Sequence, residues 1–463
     1  MRFRTTRAPA PRPTAPATLR AAFALLLLLP FPIRPATGGG APAAAPPARS
    51  AVLFIADGMG QAYVTATRLA RGRRGRLHLD DLPRTAIVRT WSADSPVTDS
   101  AAAASAMACG RKTNNEVVCE DASAEPGKRH GARLESIARW AKRRGLRAGV
   151  VTTARVTHAT PAAFYATHHD RDGEREIARQ AIDSPLDFLL GGGRREFGDL
   201  TAGNLEGARG REGETRRPGW RLVTTAGELR GIRALEARVL GLFSESHMPY
   251  EAERARGTGR DARTPAVVAE DASPGLVEMV RWALDVLQAD GWPFLLVVEA
   301  GRPDHAGHDS QARTLVGEMD ALDEAVGLAI GRLDPATTLV LVTGDHETGG
   351  VAINGYPTWE EGIWGASLYL GVRTPVLTFA TGPGTGATRA PGGSGPSGAD
   401  DLRPSGFVLR DGLHTGVDLP LYAWGAGSEP VRGTLENTAI YHLLRAHFEG
   451  KEADRGLLER ADP

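Results

Sequence analysis

Past residue 50 the chain alternates short, wholly apolar runs with longer stretches in which apolar residues recur every three or four positions. Ala51 to Ala56 (AVLFIA), closed by Asp57-Gly58-Met59-Gly60, predicts a strand buried on both faces. Ala86–Val88, Ala148–Thr152, Phe294–Val298, Thr338–Thr343 and Val376–Ala380 predict further strands. Gln61–Arg71, Arg133–Arg144 (stopped by Gly145), Gly275–Ala289, Gln311–Leu333 and Thr438–Phe448 carry the helical period. Continuous apolar strands separated by helices argue for an α/β sheet covered on both faces. Two stretches break the rhythm. Residues 198–272, rich in Gly, Arg and Glu, predict a surface excursion or small subdomain, and residues 381–406 predict a flexible loop. Candidate site residues lie on both sides of each, so we expect one domain over 46–463 with surface insertions.

Composition narrows the class. A chain of 463 residues with 41% hydrophobic and 24% charged residues is not disordered, collagen-like or a multi-span membrane protein. Basic and acidic residues balance at 55 each, which gives no reason to expect a nucleic-acid partner. The balance hides an uneven placement. Six arginines precede residue 45, whereas the first acidic residue is Asp57. The arginines lead into Ala21–Leu29, an apolar run of nine residues, well short of the roughly 20 a membrane-spanning helix needs. Small residues follow from Gly38 to Ala45. This order predicts a signal peptide and low-complexity leader over 1–45 and a periplasmic or secreted protein. Removal near Ala45 would leave six more acidic than basic residues. The plainer alternative is a disordered Pro/Ala-rich tail. The only cysteines are Cys109 and Cys119. A bridge and two free thiols both remain open for them.

Residues able to bind metal recur where strands end. Asp57 follows the first strand, and Glu299 follows Phe294–Val298, with Asp304 and His308 soon after in EAGRPDHAGH. Asp345 and His346 follow Thr338–Thr343, with Gly344 permitting the chain to turn. Asp304 and His308 share one side of a helical turn if that segment is helical. In open α/β sheets ligands bind at the carboxyl ends of strands, so such a set suits a multi-metal site. Each residue also has a plainer role as a turn former or solvated helix face. A further histidine, His414, sits in GLHTG. Val97-Thr98-Asp99-Ser100 precedes an alanine-rich helix, which makes Ser100 either a helix cap or a nucleophile at the positive end of a helix. Thr160-Pro161 opens a helix in the same manner.

These stretches resemble the alkaline phosphatase family. FIADGMG, VTDSAAAASAMACGRKT, THATPAAFYA, DFLLGGGRREF, LGLFSESHMPYE, VVEAGRPDHAGH, LVTGDHETGG and HTGVDLPLYAWG stand in the family's order over roughly residues 50–445. The resemblance implies a doubly wound, mostly parallel sheet and a hydrolase acting on phosphate monoesters with two zinc ions and one magnesium ion. By motif, Ser100 matches the serine that is transiently phosphorylated. Asp304, His308 and His414 match the ligands of one zinc. Asp345, His346 and Asp57 match those of the other, and Asp57, Thr160 and Glu299 those of magnesium. Arg171 matches the arginine that clamps two phosphate oxygens, although THHDRDGER departs from the family's wording around it. Asp99 is expected to orient Arg171. His158 and His305 stand at positions that vary across the family, beside the third metal and the phosphate. Small-molecule phosphomonoesters, inorganic phosphate as product, and a homodimer are the implied partners. The rivals are a phosphodiesterase or sulfatase, and a non-catalytic phosphate- or metal-binding relative. Ser100-Ala101-Ala102 does not fit the sulfatase nucleophile motif.

Overall fold

The computed structural model describes residues 49–198, 219–257, 272–289, 291–369, 372–383 and 403–460. The segment read as a signal and leader, and most of the 381–406 loop, lie outside them. Ten strands form one sheet: β1 Ser50–Ala56, β2 Arg84–Arg89, β3 Arg147–Arg155, β4 Phe188–Gly192, β5 Trp220–Val223, β6 Arg238–Leu242, β7 Phe294–Ala300, β8 Thr338–Gly344, β9 Leu419–Gly425 and β10 Thr434–Glu436. Their order is β10-β2-β9-β8-β1-β7-β3-β4-β6-β5. Among these strands only β9 runs against its neighbours.

The central strands show why unbroken apolar runs are needed. Successive side chains of a strand point to opposite faces. Val52, Phe54 and Ala56 of β1 enter one core, while Ala51, Leu53 and Ile55 enter the other. In β8, Val340 and Val342 join the first core, and Leu339 and Leu341 the second. Helices Gln61–Ala70, Leu276–Ala289 and Ala312–Ile330 pack on the first face. Helices Ser100–Cys109, Ile137–Arg143, Glu174–Asp183 and Ala439–Glu449 pack on the second. This is the expected doubly wound, mostly parallel α/β fold.

Two expectations need correction. The 198–272 stretch is not only a surface excursion, because β5 and β6 lie within it and extend the edge of the sheet. Both are short, at 4 and 5 residues, and each carries an arginine, so no apolar run announces them. The Val376–Ala380 strand forms as Leu377–Gly382, but it pairs with Ala352–Ile353 and Ser405–Val408 in a separate small sheet. Its period predicts a strand and says nothing of which sheet receives it.

One buried acid yields a stability prediction. Glu318, on the Ala312–Ile330 helix, is 2% exposed and accepts a hydrogen bond from the Glu251 backbone N–H at 2.6 Å. Burial first, and then the Glu251 carboxylate, push its carboxyl up from 4.5 to about 8. The folded state therefore favours the protonated form. The stability it contributes is complete below the unfolded value and is lost as pH rises through about 8. Glu318→Gln keeps the acceptor oxygen and removes the charge. For the metal-free protein we expect Tm to rise by roughly 2–5 °C at pH 9, and by much less at pH 5, in thermal scans at the two pH values.

The same sheet positions the chemistry. Ala56 of β1 lies opposite Gly344 of β8 and Ala300 of β7, so Asp57 and Asp345 leave adjacent strands side by side. Thr152 of β3 lies opposite Glu299 of β7. Gly344 serves here by close approach, since a Cβ at this position would stand 2.5 Å from the Met59 carbonyl oxygen.

Candidate active site

The Ser100–Cys109 helix is buried along its whole length, which its alanines permit. Its N-cap is Asp99, whose carboxylate accepts the Ala102 N–H at 2.9 Å. The cap therefore falls to Asp99 and not to Ser100. The Ser100 hydroxyl instead lies 3.1 Å from His346 Nε2. The second oxygen of Asp99 accepts the Glu116 N–H at 2.9 Å and the Arg171 guanidinium at 3.1 Å. Arg171 also donates to His158 Nε2 at 2.9 Å. The expected Asp99–Arg171 pairing is thus formed across 72 residues of sequence. Thr160 departs from its expected place. The cap of the Ala159–Ala162 turn is His158, and Thr160 lies inside that turn, its hydroxyl buried without a hydrogen-bond partner.

The three histidines of the two zinc-type sets are oriented alike. His308 Nδ1 donates to the Gly412 carbonyl at 2.6 Å, and His414 Nδ1 to the Thr98 carbonyl at 3.2 Å. Thr348 Oγ1 donates to Asp304 Oδ1, so His346 Nδ1, 3.2 Å from that hydroxyl, is the donor to it. In each ring the Nδ1 proton is therefore committed, which leaves the Nε2 lone pair available to a cation. The Nε2 atoms converge. His308 Nε2 is 3.2 Å from Asp304 Oδ2 and 3.3 Å from His414 Nε2, and His346 Nε2 is 3.4 Å from both Asp57 Oδ1 and Asp345 Oδ2. A short antiparallel pairing of His414–Thr415 with Glu347–Thr348 brings His414 to the site from far along the chain.

At this site three sets of donor atoms each lie within 4.8 Å of one another: Asp304, His308 and His414; Asp57, Asp304 and His346; and Asp57, His158 and Glu299. Both oxygens of Asp57, Glu299 Oε1 and Asp345 Oδ2 are buried with no hydrogen-bond partner. Unpaired buried carboxylates are costly, and bound cations would satisfy them. The same crowding shows in the protonation behaviour. Burial, then Asp345 and Asp304, raise the Asp57 carboxyl well above the usual range. Burial with the Asp304 charge pushes Asp345 up to about 8. Burial lifts Glu299 to about 7, against the hydrogen bond from the Thr152 hydroxyl. Asp304 behaves oppositely: against the upward push of burial, His308, His414 and His346 hold it well below the carboxylate range. His308 answers in kind, since against the downward pull of burial Asp304 raises it to about 9.

The structure brings together Asp57, Asp99, Ser100, His158, Thr160, Arg171, Glu299, Asp304, His308, Asp345, His346 and His414. His305, next to Asp304, turns instead toward Arg302 and His247, with Arg302 donating to its Nδ1 at 3.2 Å. Several supports have no counterpart in the sequence reading. Thr348 braces both Asp304 and His346, Thr152 donates to Glu299 Oε2, and Asn115 Oδ1 accepts the Asp99 N–H at 3.0 Å. Gly58 adopts φ +80°, and a Cβ there would meet Asp304 Cα at 2.7 Å, so only glycine lets the Asp57 loop approach the Asp304 helix.

Residues 48–449 match the family described as alkaline phosphatase. The chain belongs to the alkaline phosphatase family. It is 33% identical over 454 residues to the tissue-nonspecific alkaline phosphatase of Gallus gallus, covering 86% of this chain and 84% of that one. The solved alkaline phosphatase of the Antarctic bacterium TAB5 superposes with a TM-score of 0.63 and 25% identity, over 87% of this chain and 98% of that one. That of Thermus thermophilus gives 0.64 and 27%, over 90% and 93%. A phosphatase with candidate metal sites at the strand ends is thus the reading that fold, site and relatives share.

Proposed function

We propose that this alkaline phosphatase family member hydrolyses phosphate monoesters through a phosphoserine at Ser100, with two zinc ions and one magnesium ion. The observation that carries the reading is the Ser100 hydroxyl, 3.1 Å from His346 Nε2 at the N-terminus of a buried helix and beside carboxylates with unpartnered oxygens. Asp304, His308 and His414 would hold one zinc, and Asp57, Asp345 and His346 the other, because nitrogen-bearing sets suit zinc. Asp57, Glu299 and Thr160 offer only oxygen, which suits magnesium. His158 Nδ1 stands 3.9 Å from both Asp57 Oδ2 and Glu299 Oε1, at the edge of that set. Structures of the TAB5 enzyme in which a histidine is replaced by Asp or Glu have magnesium bound in the M3 site, so a relative of this chain does bind magnesium. The family resemblance also carries the proposal of a homodimer, and the arginine-bearing segment before the short apolar run Ala21–Leu29 carries that of export.

When bound, the cations supply the positive charge that makes a serine hydroxyl nucleophilic near neutral pH and stabilises the leaving oxygen. The chain does the positioning. Arg171, braced by Asp99, presents a planar fork to two phosphate oxygens. The N-terminal amides of the Ser100 helix favour the same anion. Ser100 Oγ attacks phosphorus, the alcohol oxygen departs, and water then cleaves the phosphoserine to release inorganic phosphate.

Elemental analysis of the purified protein, paired with rates on a phosphate monoester, a diester and a sulfate ester, tests this reading. We expect zinc and magnesium to be present, the monoester to be turned over fastest, and activity to vanish on chelation and return on adding metal. A fully metal-loaded protein that binds phosphate without turnover would sink it. Faster turnover of the diester or sulfate would shift it to another branch of the chemistry.

A further inference from the structure

The two cysteines lie where the nucleophile's helix ends. Cys109 is the last residue of the Ser100–Cys109 helix, and Gly110 caps that helix in the left-handed conformation. Cys119 follows a loop that folds back beneath it, and both side chains are buried in the same core. Their sulfurs are 2.8 Å apart. The two side chains therefore face each other in direct contact, as a disulfide requires, with the sulfurs still farther apart than the roughly 2.05 Å of a covalent bond.

The backbone is built to hold them there. Cys119 adopts φ +45°, a conformation glycine favours and other residues avoid. The segment is pinned on both sides by single bridges, Val118 to His168 and Glu120 to Arg133. Ser105, on the same helix, accepts the Cys119 N–H at 2.8 Å and donates toward the Val117 carbonyl. The unfavourable φ is therefore maintained by contacts that aim the Cys119 side chain at Cys109.

We propose that Cys109 and Cys119 form a disulfide that ties the end of the nucleophile's helix to the loop carrying Asn115 and Glu116. Those two residues hold Asp99, and Asp99 holds Arg171. The bond thus closes a covalent ring around the supports of the phosphate clamp. Both thiols are oxidised: they lose two protons and two electrons to an external disulfide, which is reduced to two thiols. The oxidant class is a thiol–disulfide exchange partner, the kind an exported chain meets outside the cytosol. Cys119 is fully buried and Cys109 nearly so in the folded state, so the exchange takes place while the chain is folding.

The test is a thiol census on full-length protein refolded with glutathione disulfide and metal. The protein is denatured in an alkylating agent, with and without a phosphine reductant, and then digested with trypsin. We expect no alkylation without reductant, both cysteines alkylated with it, and a linked pair of peptides spanning 90–111 and 113–128 in the unreduced sample. Two alkylated thiols in the unreduced sample would overturn the proposal. Thermal scans give the second readout. Phosphine is expected to lower the wild-type Tm by several degrees and to leave that of Cys109→Ala unmoved, whereas equal responses in the two proteins would also overturn it.

Discussion

Ser100→Ala is expected to lower kcat on p-nitrophenyl phosphate by about a thousandfold or more, with Tm and metal content close to wild type. The Ser100 hydroxyl does not cap the helix, because Asp99 accepts the Ala102 N–H at 2.9 Å. Removing a capping hydroxyl typically costs about 1 kcal/mol of stability, and here that role is untouched. The hydroxyl's contact is His346 Nε2 at 3.1 Å, and the neighbouring helix residues are alanines already packed without polar demands. The substitution therefore removes the attacking atom and little else. Acid quenching with inorganic phosphate, followed by peptide mass analysis, should detect phosphoserine at Ser100 in the wild type and none at that position in the variant. Near-native turnover by the Ser100→Ala protein would remove the covalent mechanism while leaving the metal sites standing.

How much of this was legible before the structure depends on which kind of information each residue carries. Asp57 and Asp345 were legible because each follows an apolar run long enough to be a central strand, and a strand's end is where an open α/β sheet places its site. The pairing of Asp99 with Arg171 was reached only by resemblance, since nothing local joins residues 72 apart. His414 shows the same limit. It reaches the site through a two-residue pairing with Thr348, too short to leave a period in the sequence. The backbone acceptors of Gly412 and Thr98, which set the His308 and His414 tautomers, have no side-chain signature at all. Thr152 reads as an ordinary β-branched strand residue, yet its hydroxyl donates to Glu299. Thr348, by contrast, sits inside LVTGDHETGG and was within reach. In the fold, β5 and β6 escaped because they are only 4 and 5 residues long and each carries an arginine, even though β6 is buried throughout. Ser100 was ambiguous for a definite reason: a serine opening a helix suits a cap as well as a nucleophile, and only the coordinates show that Asp99 takes the cap.

Metal retention is expected to fall steeply as pH drops from about 8.5 to 6, with apparent affinity declining about tenfold per pH unit for each proton displaced. In the metal-free protein Asp345 is lifted to about 8, Glu299 to about 7 and Asp57 well above the usual range, each first by burial. His308, held by Asp304 against burial, titrates at about 9. Below these values the site carries protons that a cation must displace. Equilibrium dialysis against zinc at pH 6 and 8.5 measures the ratio directly, and an affinity unchanged between the two would contradict the assigned ligands. The stability of the metal-free protein should run the other way. A carboxyl raised on folding contributes stability that is present at low pH and lost as pH rises through its folded value. The Tm of the metal-free protein should therefore fall from pH 6 to 8.5. That of the loaded protein should rise at fixed total zinc, because ligand that binds only the folded state stabilises more as its affinity grows. Opposite slopes in the two scans, converging toward pH 6, are the signature of a buried carboxylate cluster built to be neutralised by cations. Parallel slopes would mean that Asp57, Glu299 and Asp345 are paired by something other than metal.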